Sequence, residues 1–111
     1  MQRLSLTATD QELTIALVGE IVMDMVLERK SEVTRLVEEY AGPAVSLDLT
    51  GVTFMDSSGV GLLIGLRRLC QERDKQFSVR NPAPPIRKLF ETLRLTDYLA
   101  LARPDAGQPA S

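Results

Sequence analysis

Residues 44–61 read AVSLDLTGVTFMDSSGVG, and three signals within them set the fold. Val45, Leu47 and Leu49 alternate with Ser46 and Asp48, the period of two that marks a buried strand. After Gly51 comes a short apolar piece, Val52-Thr53-Phe54-Met55, and then Asp56-Ser57-Ser58-Gly59. Asp and Ser are the residue types that satisfy the unpaired amide donors at a helix N-terminus. The spacing beyond predicts a helix from Val60 to about Glu72, with apolar positions nearly encircling it and much of it buried. Gly59, Gly61 and Gly65 each cost that helix about 1 kcal/mol of propensity relative to alanine. Small residues at that spacing would let the helix lie close on a sheet.

Upstream, Leu4, Leu6 and Ala8 alternate with polar residues, as do Leu13, Ile15 and Leu17. Thr9-Asp10-Gln11 between them reads as a hairpin turn. The second strand closes at Gly19-Glu20. From about Asp24 to Tyr40 the period becomes helical, with Val26, the stem of Arg29, Val33, Leu36, Val37 and Tyr40 on one face. Gly42-Pro43 stops that helix. Downstream, Gln76 to Arg80 reads as a strand, residues 81–85 as a connection, and Ile86 to Leu93 as an amphipathic helix. Tyr98 to Ala102 is a candidate last strand. The Pro/Gly/Ala/Ser-rich end reads as a frayed tail. The order β-β-α-β-α-β-α, a hairpin followed by crossovers, implies an α/β fold with a mixed sheet.

The 111 residues suffice for one domain, 1–103, with a flexible tail at 104–111. An apolar fraction of 44% and a charged fraction of 25% are those of a soluble globular chain. A net charge of -2 and an aromatic content of 5%, with no basic run, argue against a nucleic-acid partner. No basic-then-apolar signal opens the sequence and no apolar run is long enough for a membrane span. The single cysteine, Cys70, fits a reducing, cytoplasmic setting. With no histidine, the usual general base and commonest metal ligand are missing. No metal, cofactor or catalytic residue is therefore expected. An enzyme would have to use a carboxylate such as Asp56 or Asp48.

Four readings of Asp56-Ser57-Ser58-Gly59 compete. In the plainest, Asp56 or Ser57 caps the helix and does nothing more. In a second, Gly59-Val60-Gly61 cradles a nucleotide. However, Gly65 comes one position late for the dinucleotide pattern, and the next strand ends in Arg80-Asn81 where that pattern wants an acid. In a third, Ser57 is a nucleophile, but no histidine can activate it and neither Lys75 nor Lys88 is suitably spaced.

The fourth reading comes from a resemblance. An apolar strand, then Asp56-Ser57-Ser58-Gly59-Val60-Gly61 opening an apolar helix, resembles the phosphorylation site of the STAS family of anti-sigma factor antagonists. Leu17 to Ile21, Leu47-Asp48-Leu49-Thr50 and Arg80-Asn81-Pro82 extend the likeness over roughly residues 4–102. The resemblance implies helices packed mainly on one face of the sheet and Ser57 as phosphoacceptor. It makes Asp56, Ser58 and Gly59 the residues that shape that site, and Glu20, Ser57 and Asn81 partner contacts. It also implies partner switching in a bacterial cytoplasm by a chain that is a monomer when alone. The unmodified chain would bind an anti-sigma factor serine kinase and free the sigma factor. Phosphorylation of Ser57 would break that complex, and a PP2C-type serine phosphatase would reset it. An accessory subunit of a transporter, or part of a stress-signalling scaffold, is the alternative within the family. One position departs: family members often read Gly-Glu-apolar-Asp at the end of the second strand, and here Gly19-Glu20-Ile21 is followed by Val22.

Overall fold

The computed structural model describes residues 3–99. Strands β1 (Arg3–Ala8) and β2 (Leu13–Ile21) form the antiparallel hairpin. Its turn is closed locally: the Thr9 hydroxyl oxygen accepts from the amides of Gln11 and Glu12, both at 3.1 Å. Helix α1 (Met23–Glu39) then carries the chain to β3 (Ala44–Met55), parallel to β2. Helix α2 (Ser57–Glu72) leads to β4 (Gln76–Arg80), parallel to β3, and α3 (Pro84–Thr92) follows. The sheet order is β1-β2-β3-β4. Both crossovers step one strand in the same direction, so the right-handed rule puts α1 and α2 side by side on one face, where they touch.

That face holds the core. Leu13, Ile15 and Leu17 of β2, Val45, Leu47 and Leu49 of β3, and Phe77 and Val79 of β4 join one buried cluster with the inner faces of the helices. Met25, Val33 and Val37 enter it from α1, Leu62, Leu63, Leu66 and Cys70 from α2, and Ile86 and Phe90 from α3. The opposite face is polar, with Thr7, Thr14, Ser46, Asp48, Ser78 and Arg80 in register across the strands. Ser46 is nonetheless fully buried. Arg80 of β4 reaches Glu12, just before β2, at 2.8 Å, so their ion pair spans the intervening β3. Beneath it the Ser46 and Thr14 hydroxyls are 3.2 Å apart.

The elements match the sequence expectations in order and differ at their edges for physical reasons. The two apolar pieces 44–49 and 52–55 are one 12-residue strand. Alternation breaks because β3 bulges twice: Ala16–Val18 opposes Asp48–Gly51, and Gly19–Glu20 opposes Val52–Phe54. Each shift adds one residue on β3, the usual way to bend a strand and re-aim its side chains. Helix α2 begins at Ser57, three residues before Val60, because Asp56 caps it. Helix α3 begins at Pro84, since a first-turn amide has no helical partner and its loss is harmless. The expected last strand is not seen at Tyr98 and Leu99, which lie in a turn where the Leu99 amide donates to Leu95. Residues 100–102 and the tail expected at 104–111 lie outside the described residues.

The glycine expectation holds at one position of three. A Cβ on Gly59 would sit 2.6 Å from the Ile21 carbonyl oxygen and 2.6 Å from Met55 Cγ, so this glycine alone permits the close approach. Gly61 and Gly65 face open space, with nothing within 4 Å of an added Cβ. Gly59→Ala is therefore expected to lose about 1–3 kcal/mol by overpacking. Gly61→Ala should gain up to about 1 kcal/mol from helix propensity. Urea denaturation of both variants checks the pair, and equal stabilities would refute the packing assignment.

Candidate functional site

The ends of the two central parallel strands create the site. Ile21 closes β2 opposite Met55 at the end of β3, and the Asp56 amide donates to the Ile21 carbonyl at 3.3 Å. Both strands run out at the same pole, the carboxyl ends where open α/β sheets present their sites. Helices α1 and α2 both start there.

Asp56 occupies the N-cap of α2 in extended conformation. One carboxylate oxygen accepts from the amides of Ser58 at 2.8 Å and Gly59 at 3.1 Å. The cap is thus complete without Ser57. Ser57 is the first helical residue, and it is exposed. Among the described residues its hydroxyl makes no hydrogen bond. Ser58 is half-buried and turns toward α1. Gly59 is buried against Ile21 and Met55, holding the helix start to the sheet. Each residue of the motif therefore does something different, although the spacing made Asp56 and Ser57 equal candidates for the cap.

This arrangement also decides between the competing readings. Gly59 and Gly61 lie inside α2 and not in a turn, so they form no phosphate-cradling loop. Lys75 lies past the opposite end of α2, where its ammonium binds the carbonyls of Tyr40 at 2.6 Å and Gly42 at 2.8 Å. It has no access to Ser57, since α2 alone is roughly 24 Å long. Burial pushes the Cys70 thiol up to about 11, opposed weakly by Lys75, so it stays protonated at neutral pH.

Glu20 is exposed at the end of β2 and pairs in register with Phe54, which is 51% exposed. Met23 and Leu27, one turn apart on α1, are 57% and 75% exposed. These exposed apolar side chains lie on elements that meet at this pole, and sequence periodicity did not mark them. The signal for them was Leu27, which falls off the buried stripe of α1 and stays uncovered among the described residues. Val22 holds the N-cap position of α1 and supplies no side-chain cap. An aspartate there, as the resemblance suggests, would take up the unpaired amides.

Asn81 is not brought to this pole. It follows β4 in the left-handed region, with φ of 58°. Its side-chain amide donates to Asp48 at 3.4 Å. Asp48 precedes Met55 by seven residues along β3, or roughly 20 Å at the usual strand rise. Partial burial pushes the Asp48 carboxyl up, but hydrogen bonds from the Thr50 hydroxyl and amide, then from Asn81, outweigh it with help from Arg80. The net effect holds Asp48 below its ordinary value. Asp48 is thus engaged in tying strand ends together.

Comparison with known proteins agrees with this geometry. The family profile described as "Mlab, STAS domain" matches residues 4–102. The anti-sigma F factor antagonist of Lysinibacillus sphaericus is 30% identical over 83 residues, covering 75% of this chain and 71% of its own. The anti-sigma factor antagonist SpoIIAA in its unphosphorylated form superposes with a TM-score of 0.75 at 26% identity, covering 95% of this chain and 90% of that one. The Bacillus cell fate determinant SpoIIAA in the phosphorylated form gives 0.69 at 26% identity, covering 95% and 94%. No helix among the described residues is long and apolar enough to cross a membrane.

Stability measurements on the caps and on Asp48 test these assignments. Asp56→Ala is expected to cost about 0.5–2 kcal/mol, whereas Ser57→Ala should stay within about 0.5 kcal/mol of wild type. Val22→Asp should add up to about 1 kcal/mol by capping α1. Denaturation midpoints check all three, and a large loss in Ser57→Ala would contradict the cap assignment. A carboxyl held low when folded stabilises the chain above its unfolded pKa, and that contribution is lost as pH falls through the folded one. Stability should thus drop more steeply below about pH 4 in wild type than in Asp48→Asn, and parallel acid limbs would refute this role for Asp48.

Proposed function

The chain belongs to the STAS family, and from that premise we propose that it is an anti-sigma factor antagonist working by partner switching, with Ser57 as the switch. Residues 1–103 act as one STAS domain. The unphosphorylated chain binds an anti-sigma factor serine kinase in the bacterial cytoplasm, which frees the sigma factor. The kinase then transfers the γ-phosphoryl group of ATP to the Ser57 oxygen, releasing the hydroxyl proton and ADP. A PP2C-type phosphatase hydrolyses the ester to serine and inorganic phosphate. The chain contributes a substrate hydroxyl and a docking surface, and no catalysis of its own.

One observation carries this reading: Ser57 is exposed and unbonded at the first position of α2, while Asp56 does the capping. A phosphate there adds a charge of about -1.5 to -2. At a helix N-terminus the dipole favours that charge, so the fold bears little cost. Against a docked partner the cost is large, because the Ser57 pole combines apolar Phe54, Met23 and Leu27 with acidic Glu20. Each 1.4 kcal/mol of repulsion weakens binding tenfold. The likeness to SpoIIAA in both phosphorylation states supports a switch in surface charge over a switch in fold.

The test uses the anti-sigma serine kinase encoded in the same genome. Incubation with kinase and ATP should add one phosphate, at Ser57 by mass spectrometry, and release the complex. Ser57→Ala should remain bound in the presence of ATP, and Glu20→Lys should bind more weakly, most clearly at low salt. A phosphate found on Ser58 or Thr53 in wild type would overturn the assignment. Val22, in place of an acid, favours a second reading as an accessory subunit docked on a larger machine. Stable co-purification with a transporter ATPase, with no response to kinase and ATP, would establish that reading instead.

A further inference from the structure

Helices α1 and α2 leave an open groove between them of about 490 Å³, on the side away from the sheet. Val26 and Lys30 line it from α1, and Ser58, Gly61, Gly65 and Leu69 from α2. From Ser58 to Leu69 it runs about 16 Å, or three helical turns. Gly61 and Gly65 leave part of its floor without side chains, and among the described residues nothing lies within 4 Å of a Cβ added at either. Lys30 is the one charged side chain lining it among the described residues, and it is exposed with no ion pair or hydrogen bond there. Ser57, Gly61 and Gly65 form one i, i+4 row on the exposed side of α2. The groove is thus continuous with the Ser57 pole.

We propose that this groove receives an α-helix of the kinase partner, apolar along one face and carrying an acidic side chain that reaches Lys30. The inference rests on the partner-switching reading and assigns the surface it uses. Length and shape suit a helix laid in a groove, with its apolar side chains over Val26 and Leu69. Its backbone can approach closely where Gly61 and Gly65 offer no side chain. The unpaired Lys30 calls for an acid in the occupant and disfavours a basic one. The switch follows directly: a phosphate on Ser57, one turn before Gly61, faces the acidic helix with like charge.

Titration calorimetry with the purified kinase from the same genome tests the surface. Gly65→Leu fills the groove from a position where an added Cβ meets nothing within 4 Å, and should bind at least tenfold more weakly while circular dichroism and melting remain those of a folded protein. Gly65→Ala, a milder filling, should weaken binding by less. Lys30→Glu should weaken binding more at low salt than at high salt, and lysine replacing the acid on the kinase helix should restore it. A photo-crosslinking residue at Thr34, which also lines the groove, should capture kinase positions spaced three or four apart on one helix. Suppose the kinase binds wild type and is released by phosphorylation, yet Gly65→Leu and Lys30→Glu bind normally. That result overturns the groove while leaving partner switching intact. Cross-links confined to a loop or strand overturn the helical occupant. A kinase that does not bind wild type at all overturns both readings.

Discussion

The functional pole depends on the approach of α2 to the end of β2, where only the hydrogen of Gly59 separates the helix from the Ile21 carbonyl. A methyl group would meet that oxygen at 2.6 Å. The Asp56 amide donates to the same carbonyl from the other side of the junction, and the Asp56 carboxylate holds the first turn of the helix. Three elements therefore meet within a few residues: the last residue of β2, the last of β3 and the first turn of α2. With so much fixed by Asp56 and Gly59, Ser57 carries no structural duty. It is presented to solvent on a rigid helix start, as the proposed phosphorylation requires.

The sheet is built to keep that pole steady. β3 lies between two parallel neighbours and buries Val45, Leu47 and Leu49 beneath the helices. Its reverse face is polar and strapped by the Glu12–Arg80 ion pair over Ser46. An exposed ion pair of this kind adds little stability alone, so the main support is the apolar core. At the opposite end, Lys75 binds the carbonyls of Tyr40 and Gly42, while the Tyr40 hydroxyl donates to Thr9 at 2.7 Å. That clasp joins the end of α1, the hairpin turn and the approach to β4, far from Ser57. The polar cluster of Asp48, Thr50 and Asn81 likewise belongs to the scaffold.

A surface that is apolar, lightly charged and exposed has a physical consequence beyond packing. Phe54, Met23 and Leu27 remain in water in the isolated chain, an arrangement that marks an interaction surface when the residues are contiguous. Gly61 and Gly65 lower helix propensity without any packing return among the described residues. Both features make sense if the missing contacts are supplied by another chain, which would place the energetics of the proposed switch at an interface. Charge added beside such a surface is felt strongly when docking removes the water that screens it.

Much of this architecture was legible in residues whose signals are local. Alternation in 13–17, 44–49 and 76–80 marked strands, helical spacing in 26–37 marked α1, and Asp56-Ser57-Ser58-Gly59 marked a helix start. Periodicity and capping act over a few residues, and the chain carries them wherever it folds. The division of labour inside the motif was not legible, because Asp and Ser cap equally well until the strand ends fix which side chain faces the free amides. Nor could spacing show that β3 bulges twice, which depends on register with β2. The resemblance makes Asn81 a partner contact beside Ser57 and Glu20, yet the short β4 stops level with Asp48 and leaves it roughly 20 Å from their pole. Gly61 and Gly65 look like packing glycines in the sequence, but the side-by-side placement of α1 and α2 turns them outward into a groove. Local chemistry determined the elements and the helix start, while strand register and helix placement decided which residues meet at the site, because those depend on contacts between parts of the chain far apart in sequence.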